Sequence, residues 1–315
     1  MSGFLIRRAF HAVLVVFGVT VVTFILIHLE PGSTAKSVLG VHATPAAIAY
    51  FNKVHGLGRP LPLEFWDYLT GLAHGHLGHS YADDRDVTTL IAEALPKDAV
   101  LLIISNAVSL VAGVAIGIYQ ALRRNRAGDF VAQTAAFVLY AMPFFLLGFI
   151  LIDIFAITLK WLPPGAPQYT NVADILAHPA GLVLPVLTLA LGSVASYTQF
   201  MRSEMIDNLV QDYVRTARAK GLSNRAVVLH HLLRNSLLPI VTILGLVLPG
   251  ILSGAIVVET VFNYPGMGLM FFNAALKHDY PVLMGFTLFG GVAVVVGNFL
   301  ADVAYAALDP RVRLS

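Results

Sequence analysis

DYVRTARAKGLSNRAVVLHHLLRNSLLP, from Asp212 to Pro239, is the longest polar interruption in the apolar second half of the sequence. Arg215, Arg218, Lys220, Arg225 and Arg234 crowd into it. A basic segment between two apolar runs belongs on the cytoplasmic side of a membrane, where positively charged loops are retained. The pattern is helical on both sides of Gly221, and Ser223 stands where it would cap the second helix. Helix, glycine turn, helix, presented at a membrane surface: the arrangement suits a docking element. On charge alone it equally suits an amphipathic helix resting on lipid phosphates.

Composition makes lipid the main solvent. Of 315 residues, 57% are hydrophobic and 12% charged, half of the roughly 25% charged residues of a soluble domain. Mean hydropathy is +0.77. Cysteine is absent, which excludes disulfides and thiolate metal sites. The basic residues flank apolar runs instead of forming one continuous face, so no nucleic-acid partner is expected.

Arg7 and Arg8 precede an apolar run from Ala9 to about Leu29, long enough for a helix to cross a hydrocarbon core of about 30 Å. A cleaved signal peptide would carry an apolar region of only about 7–15 residues, and Ser33-Thr34-Ala35 is a poor cleavage site. The run is therefore expected to be a first transmembrane helix. From Glu30 to Leu95 the chain is mixed and rich in Gly, Pro and His. Thr44-Pro45 reads as an N-cap with proline at the first helical position, opening a short helix toward His55. Pro62 to Ala73 would form another, and neither is long enough to span.

Five further apolar stretches follow, at about Asp98–Leu122, Phe130–Leu159, Ala180–Met201, Leu237–Phe262 and Val282–Leu308. Assigning Arg7, Arg8, Arg123, Arg124, Arg126, Arg202, the opening stretch, Arg311 and Arg313 to one side gives it thirteen of the twenty Lys and Arg residues. That bias predicts an all-α integral membrane protein of six transmembrane helices with both termini cytoplasmic. The expected plan is an N-terminal helix (1–29), an extracytoplasmic cap (30–97) and a five-helix core (98–315) whose cytoplasmic loop covers about 202–236. Pro143, Pro185 and Pro249 fall within the spans, as do Gly113, Gly117, Gly245, Gly250 and Gly254. Small residues let helices approach closely, and kinks are tolerated where neighbours satisfy the freed carbonyls.

Two carboxylates fall in spans, Asp153 and Glu259. An ionised carboxylate at mid-membrane costs about 2.5–3.5 kcal/mol, so each is expected to line a translocation path or to be hydrogen-bonded by a neighbouring helix. The second reading is preferred for Glu259. Asp302 and Asn298 suit helix packing in the last span. His74, His76 and His79 cluster in LAHGHLGHSY with Asp83 and Asp84 behind them. Imidazoles so spaced are weak metal-ligand candidates, because Gly75 and Gly78 loosen the loop between them. No Gly-Lys dipeptide exists, so no G-x-x-x-x-G-K-[ST] nucleotide loop is present, and G-x-S-x-G and H-E-x-x-H are absent too. If ATP drives this protein, another chain binds it.

DYVRTARAKGLS followed by LHHLLRNSLLP resembles the cytoplasmic loop of ABC importer permeases, and within them the B-type subunit of dipeptide and oligopeptide importers. The loop pattern of that family is E-A-A, three residues, G, nine residues, I-x-L-P. Gly221 matches its glycine and Ala217 its second alanine; Arg215 and Thr216 replace Glu and the first Ala, and Arg234 stands at the proline, as in B-type peptide permeases. TPAAIAYFNKVHGLGRPLP, GHLGHS, YAMPFFLLG, LPVLTLALGS, VVETVFNYPGMG, HDYPV and LDPRVRL resemble the family in the same order. His76 departs where Asp is frequent, and Ser33-Thr34 where Asp-Pro is.

The resemblance implies a type I ABC importer permease fold in a bacterial or archaeal cytoplasmic (inner) membrane. It implies a second, C-type permease subunit, one or two ABC ATPase chains carrying ATP and Mg, and an extracytoplasmic substrate-binding protein. This chain would bind no cofactor and catalyse nothing. Its coupling residues would be Arg215, Thr216, Ala217, Arg218, Ala219, Lys220, Gly221, Leu222 and Ser223, with Ala217 keeping the docking face small. Nickel, glutathione or haem are alternative cargoes of such importers. A self-sufficient secondary transporter would instead call for inverted repeats and midplane ion ligands; no convincing repeat is visible. A membrane enzyme would call for a clustered nucleophile, metal or acid–base set.

Overall fold

The computed structural model describes residues 2–29, 32–40, 42–169, 171–237 and 255–308, and every regular element among them is helical. α1 (Ser2–Leu29) leads into three short helices, α2 (Thr34–Leu39), α3 (Pro45–Val54) and α4 (Leu61–Ala73). Thr44 caps α3 by accepting the Ala47 N–H at 3.2 Å, and Pro45 occupies the first turn, where its missing N–H costs nothing. α5 (Val87–Leu122) follows, with Pro96 inside it.

The expected continuous span from Phe130 to Leu159 is broken. α6 (Ala127–Ala141) and α7 (Phe144–Leu151) meet at 107°, and α7 runs on into a π-helical turn, Ile152–Thr158. Pro143 accounts for the break, because its ring excludes the preceding residue from helical geometry; Met142 is extended at φ −80° and ψ 127°. After α8 (Val172–Ala177), α9 (Ala180–Leu209) accommodates Pro185 without ending. Then come α10 (Asp212–Ala219), α11 (Asn224–Ala226), a π-helical stretch Val227–Leu232 and α12 (Leu233–Ser236).

Most of the expected fifth span, with Gly245, Pro249, Gly250 and Gly254, lies outside the described residues. Its remainder is α13 (Ala255–Phe262), and α14 (Met267–Lys277) follows after a short break in the chain. α15 (Tyr280–Leu308) is the last helix described. Among the described residues, four helices are thus long and apolar enough to cross a membrane, or up to six if each bent pair counts as one span.

The chain divides into two compact units, Met1–Asp98 with Pro265–Val296 and Ala99–Tyr264 with Gly297–Arg313. The first is built on Phe24, Ile27, Val87, Ile91, Met267, Val282 and Met284. Two buried carboxylates tie its distant sequence blocks together. Asp279 accepts the Ser80 hydroxyl at 2.5 Å and the Tyr81 and Ala82 N–H groups at 3.1 Å each, so HDYPV holds the turn that follows GHLGHS. Asp98 accepts the Met267 N–H at 3.0 Å, at the start of α14.

In the second unit, α5 packs on α9 through two glycines one helical turn apart. A Cβ on Gly113 would sit 2.5 Å from the Tyr197 Cβ and 3.0 Å from the Val194 carbonyl oxygen. On Gly117 it would sit 2.7 Å from the Met201 Cβ and 2.8 Å from the Thr198 carbonyl oxygen. Those obstacles are backbone and helix-rooted atoms, so no rotamer change relieves them. The expected close approach at these glycines is therefore present. Replacing Gly117 with Val should cost about 1–3 kcal/mol through overpacking. Thermal unfolding of the purified protein in detergent should shift down accordingly, whereas an unchanged midpoint would mean that the helices are free to separate.

Candidate coupling site

The loop after α9 is anchored by its own apolar residues. Val214 and Ala217 of α10, with Val227 and Leu232 beyond the turn, are buried against Met201 and Met205 on α9. The period of these positions explains the geometry: 214 and 217 share one face of α10, leaving Arg215, Thr216, Arg218, Ala219 and Lys220 exposed. Ala217 is 6% exposed. The expectation that it keeps an outward docking face small is therefore corrected, because its size serves close seating of α10 on this chain's own core.

Gly221 ends α10 for a conformational reason. Its φ is +78°, in the left-handed region, and an added Cβ would meet nothing within 4 Å, so backbone geometry and not space selects glycine. The Leu222 N–H reaches the Ala217 carbonyl at 3.3 Å and the Gly221 N–H the Arg218 carbonyl at 2.9 Å, the paired bonds of a Schellman terminus. Ser223 then caps α11, accepting the Ala226 N–H at 3.3 Å. From Lys220 to Arg225 every residue is exposed. The loop presents Arg215, Arg218, Lys220 and Arg225 around a defined turn. Arg215 and Asp212 approach to 3.5 Å, but both are largely exposed, and such a surface pair contributes little.

One ion pair that the sequence did not single out fastens this region. Arg202 on α9 donates from Nε to Asp129 Oδ1 at 3.1 Å and from a terminal nitrogen to Oδ2 at 2.9 Å. Asp129, in the first turn of α6, also accepts the Asn125 N–H at 3.0 Å, and its side chain is 5% exposed. A bidentate pair of this kind fixes direction as well as distance. The available signal was an aspartate at a helix start and an arginine 73 residues later, which no spacing rule connects.

The remaining candidates separate. Asp153 is exposed on the π-helical turn, whereas Glu259 is fully buried in the second unit. Burial removes Glu259 from any open surface of this chain. His74 hydrogen-bonds the Thr70 carbonyl at 2.7 Å and closes α4, and His76 is exposed. His79 lies 2.9 Å from Asp84 and 3.2 Å from Asp86, and those hydrogen bonds raise its pKa above the ordinary histidine value. Among the described residues, no three His, Cys, Asp or Glu side chains are grouped as metal ligands.

A polar helix–turn–helix seated on a long apolar helix gives another chain a surface through which to act on this one. The chain belongs to the family described as binding-protein-dependent transport system inner membrane component: residues 113–314 match it, and residues 1–102 match its N-terminal part. This family is the membrane permease component of ABC transporters, in which a separate subunit hydrolyses ATP.

The chain is 38% identical over 323 residues to a putative peptide permease protein of Brucella ovis, covering 99% of this chain and 100% of that protein. It is 34% identical over 318 residues to the oligopeptide transport system permease protein AppB of Bacillus subtilis, with 99% and 100% covered. It is 38% identical over 313 residues to the glutathione transport system permease protein GsiC of Pectobacterium atrosepticum, covering 99% of each. The solved MetNI methionine ABC transporter, in an inward-facing conformation, aligns at TM-score 0.46 and 14% identity over 70% of this chain and 97% of that one.

Replacing Arg202 with Met leaves the Asp129 carboxylate buried without its cation and should destabilise the fold by about 3 kcal/mol. Adding Asp129→Asn removes that charge while retaining an acceptor for the Asn125 N–H, and should recover most of the loss. Unfolding midpoints of the two variants check this; no recovery would place the role of Arg202 elsewhere.

Proposed function

We propose that this chain is the B-type permease of an ATP-driven peptide importer, forming half of the translocation path beside a C-type permease. The observation that carries the reading is the exposed basic turn from Arg215 to Ser223, set by Gly221 and seated rigidly on α9. Two relatives named for peptide or oligopeptide permeases, matched end to end, support the cargo class. The glutathione permease relative supports a second reading in which the cargo is that one modified tripeptide.

On this proposal six helices span a bacterial or archaeal cytoplasmic membrane with both termini inside, each bent pair counting as one span. Residues 30–97 form the extracytoplasmic cap that meets a substrate-binding protein, and residues 98–315 the five-helix core. One or two kinds of ATPase chain, carrying ATP and Mg, receive the loop. ATP binds one conformation of the assembly better than the other, and the loop carries that difference to the spans. Exposed Arg215, Arg218 and Lys220 meet acidic groups or helix-terminal carbonyls of the ATPase, while Thr216, Ala219, Leu222 and Ser223 complete the contact and Ala217 seats it. Asp153 is the carboxylate available to the path; Glu259, being buried, braces it.

The direct test is ATP hydrolysis by the reconstituted complex, measured with its binding protein loaded with dipeptides, longer peptides, glutathione, haem or a nickel chelate. Stimulation by peptides is expected, and a response to haem or nickel alone would overturn the cargo assignment. Gly221→Glu places a side chain at positive φ and an anion in the basic turn. It should insert normally in the membrane yet abolish transport and binding-protein-stimulated hydrolysis, and normal uptake by that variant would remove the turn from coupling.

A further inference from the structure

His79 is held from both sides. Its Nε2 lies 2.9 Å from Asp84 Oδ1 and its Nδ1 3.2 Å from Asp86 Oδ1. A carboxylate only accepts hydrogen bonds, and a neutral imidazole has a single N–H to give. Both contacts are hydrogen bonds only when the ring carries its second proton. The neutral ring turns a lone pair toward one of the two carboxylates and loses that contact. One proton thus decides whether the turn has one fastening or two.

The turn leads straight into α5. The Ser80 N–H reaches the Arg85 carbonyl at 2.8 Å and the Val87 N–H the Gly78 carbonyl at 3.1 Å, with Asp84 at φ +52° between them. α5 begins at Val87, so Asp86 stands at the N-cap position. Its backbone carbonyl takes the Thr89 and Leu90 N–H groups at 3.0 and 3.1 Å. An N-cap aspartate ordinarily turns its carboxylate onto the second or third N–H of the helix. Among the described residues, this carboxylate bonds the His79 ring instead. Asp86 therefore has two partners within reach of its place in the chain, and His79 holds it away from one of them.

The surroundings favour the proton. The hydrogen bonds to Asp84 and Asp86 raise the His79 pKa above the ordinary value of 6.5. Of the other charges on the turn, Arg85 is paired with Glu93, and Asp83 lies 3.9 Å from Lys277. Asp279, just before α15, is occupied by Ser80, Tyr81 and Ala82. His79 also lines a cavity of about 310 Å³ with His28, His55, Arg59 and Glu64. There Arg59 is paired with Asp67 and Glu64 with His28, while burial pushes the Tyr68 and Tyr81 phenols up. His55 is the remaining imidazole, and its pKa is lowered, by burial first and by His79 second. As pH falls, His79 takes its proton before His55.

We infer that His79 is a proton-operated clamp at the start of α5, its outer end on the topology proposed above. With the proton it ties Asp84 and Asp86 across the turn; without it Asp86 is released to cap α5. The clamp is fully engaged below pH 6.5 and is lost as pH rises through the raised value. The side chains of His79, Asp84 and Asp86 are 48%, 96% and 71% exposed, so it governs the local order of the turn and not the stability of the fold. This inference does not depend on the cargo.

The test is hydrogen–deuterium exchange of the assembled transporter in lipid nanodiscs over about pH 5.5–8.5, corrected for the intrinsic exchange rate. EDTA is present throughout, which excludes a metal bridging the same side chains. Overlapping peptides covering residues 80–90 are read. Amides 84–86 should lose protection by about threefold as pH rises, the size of a surface ion pair. Amides 88 and 89 should gain protection as Asp86 caps them. His79→Gln cannot carry the proton and should show neither change. Asp86→Asn keeps a capping oxygen without the charge and should move the remaining transition to lower pH. A pH response that survives His79→Gln would overturn the inference, and so would flat exchange in the unaltered protein. Loss at 84–86 without gain at 88 and 89 would overturn the exchange of partners. The replaced side chains are exposed, and unchanged protection in the rest of α5 confirms that the variants fold.

Discussion

The packing of Val214, Ala217, Val227 and Leu232 against Met201 and Met205 is the contact on which the basic loop of this protein depends. Without it the basic loop would be a tether, free to move without moving anything else. Burial converts it into an extension of α9. Interiors are close-packed and bistable more than they are elastic, so a displacement imposed on α10 must displace the helix beneath it.

α9 is suited to receive such a displacement. Among the four described helices long enough to span it is the most buried, and it holds three neighbours by three different means. α10 is held by apolar burial, α6 by the two-pronged Arg202–Asp129 pair, and α5 by the glycine contact at Gly113 and Gly117. Tyr197 adds a hydrogen bond of 2.6 Å to Asn106 on α5. The glycine contact tolerates sliding along the helix axis but no gap. The ion pair fixes orientation, because a planar guanidinium meets a carboxylate squarely in few geometries.

Much of this was legible in order along the chain. Thr44-Pro45, Ser223 and Gly221 announce their roles because capping and positive φ are local demands that few residues meet. The apolar runs mark the long helices for the same reason: length and hydropathy are sums over neighbours in sequence. What escaped depends on partners far away. Pro143 is visible, but whether a proline kinks a span slightly or breaks it by 107° depends on what supports the freed carbonyls. Ala217 matches the family pattern whether it faces out or in, and only Met201 and Met205 decide. Asp129 and Arg202 are unremarkable apart, 73 residues from each other.

The two buried carboxylates of the first unit follow a related logic. Asp279 accepts a hydroxyl and two backbone N–H groups, and Asp98 accepts the N–H of Met267. Each thereby supplies an acceptor to backbone that leaves regular structure near the membrane, where an unsatisfied donor costs several kcal/mol. A neutral amide would accept more weakly, and an apolar residue not at all. The sequence blocks GHLGHS, HDYPV and NYPGMG are therefore recognisable as blocks because their polar atoms complete one another. A turn that carries its own donors inward requires an acceptor from distant sequence, and that requirement, more than helix propensity, ties residues 80–82 to Asp279 and the start of α14 to Asp98.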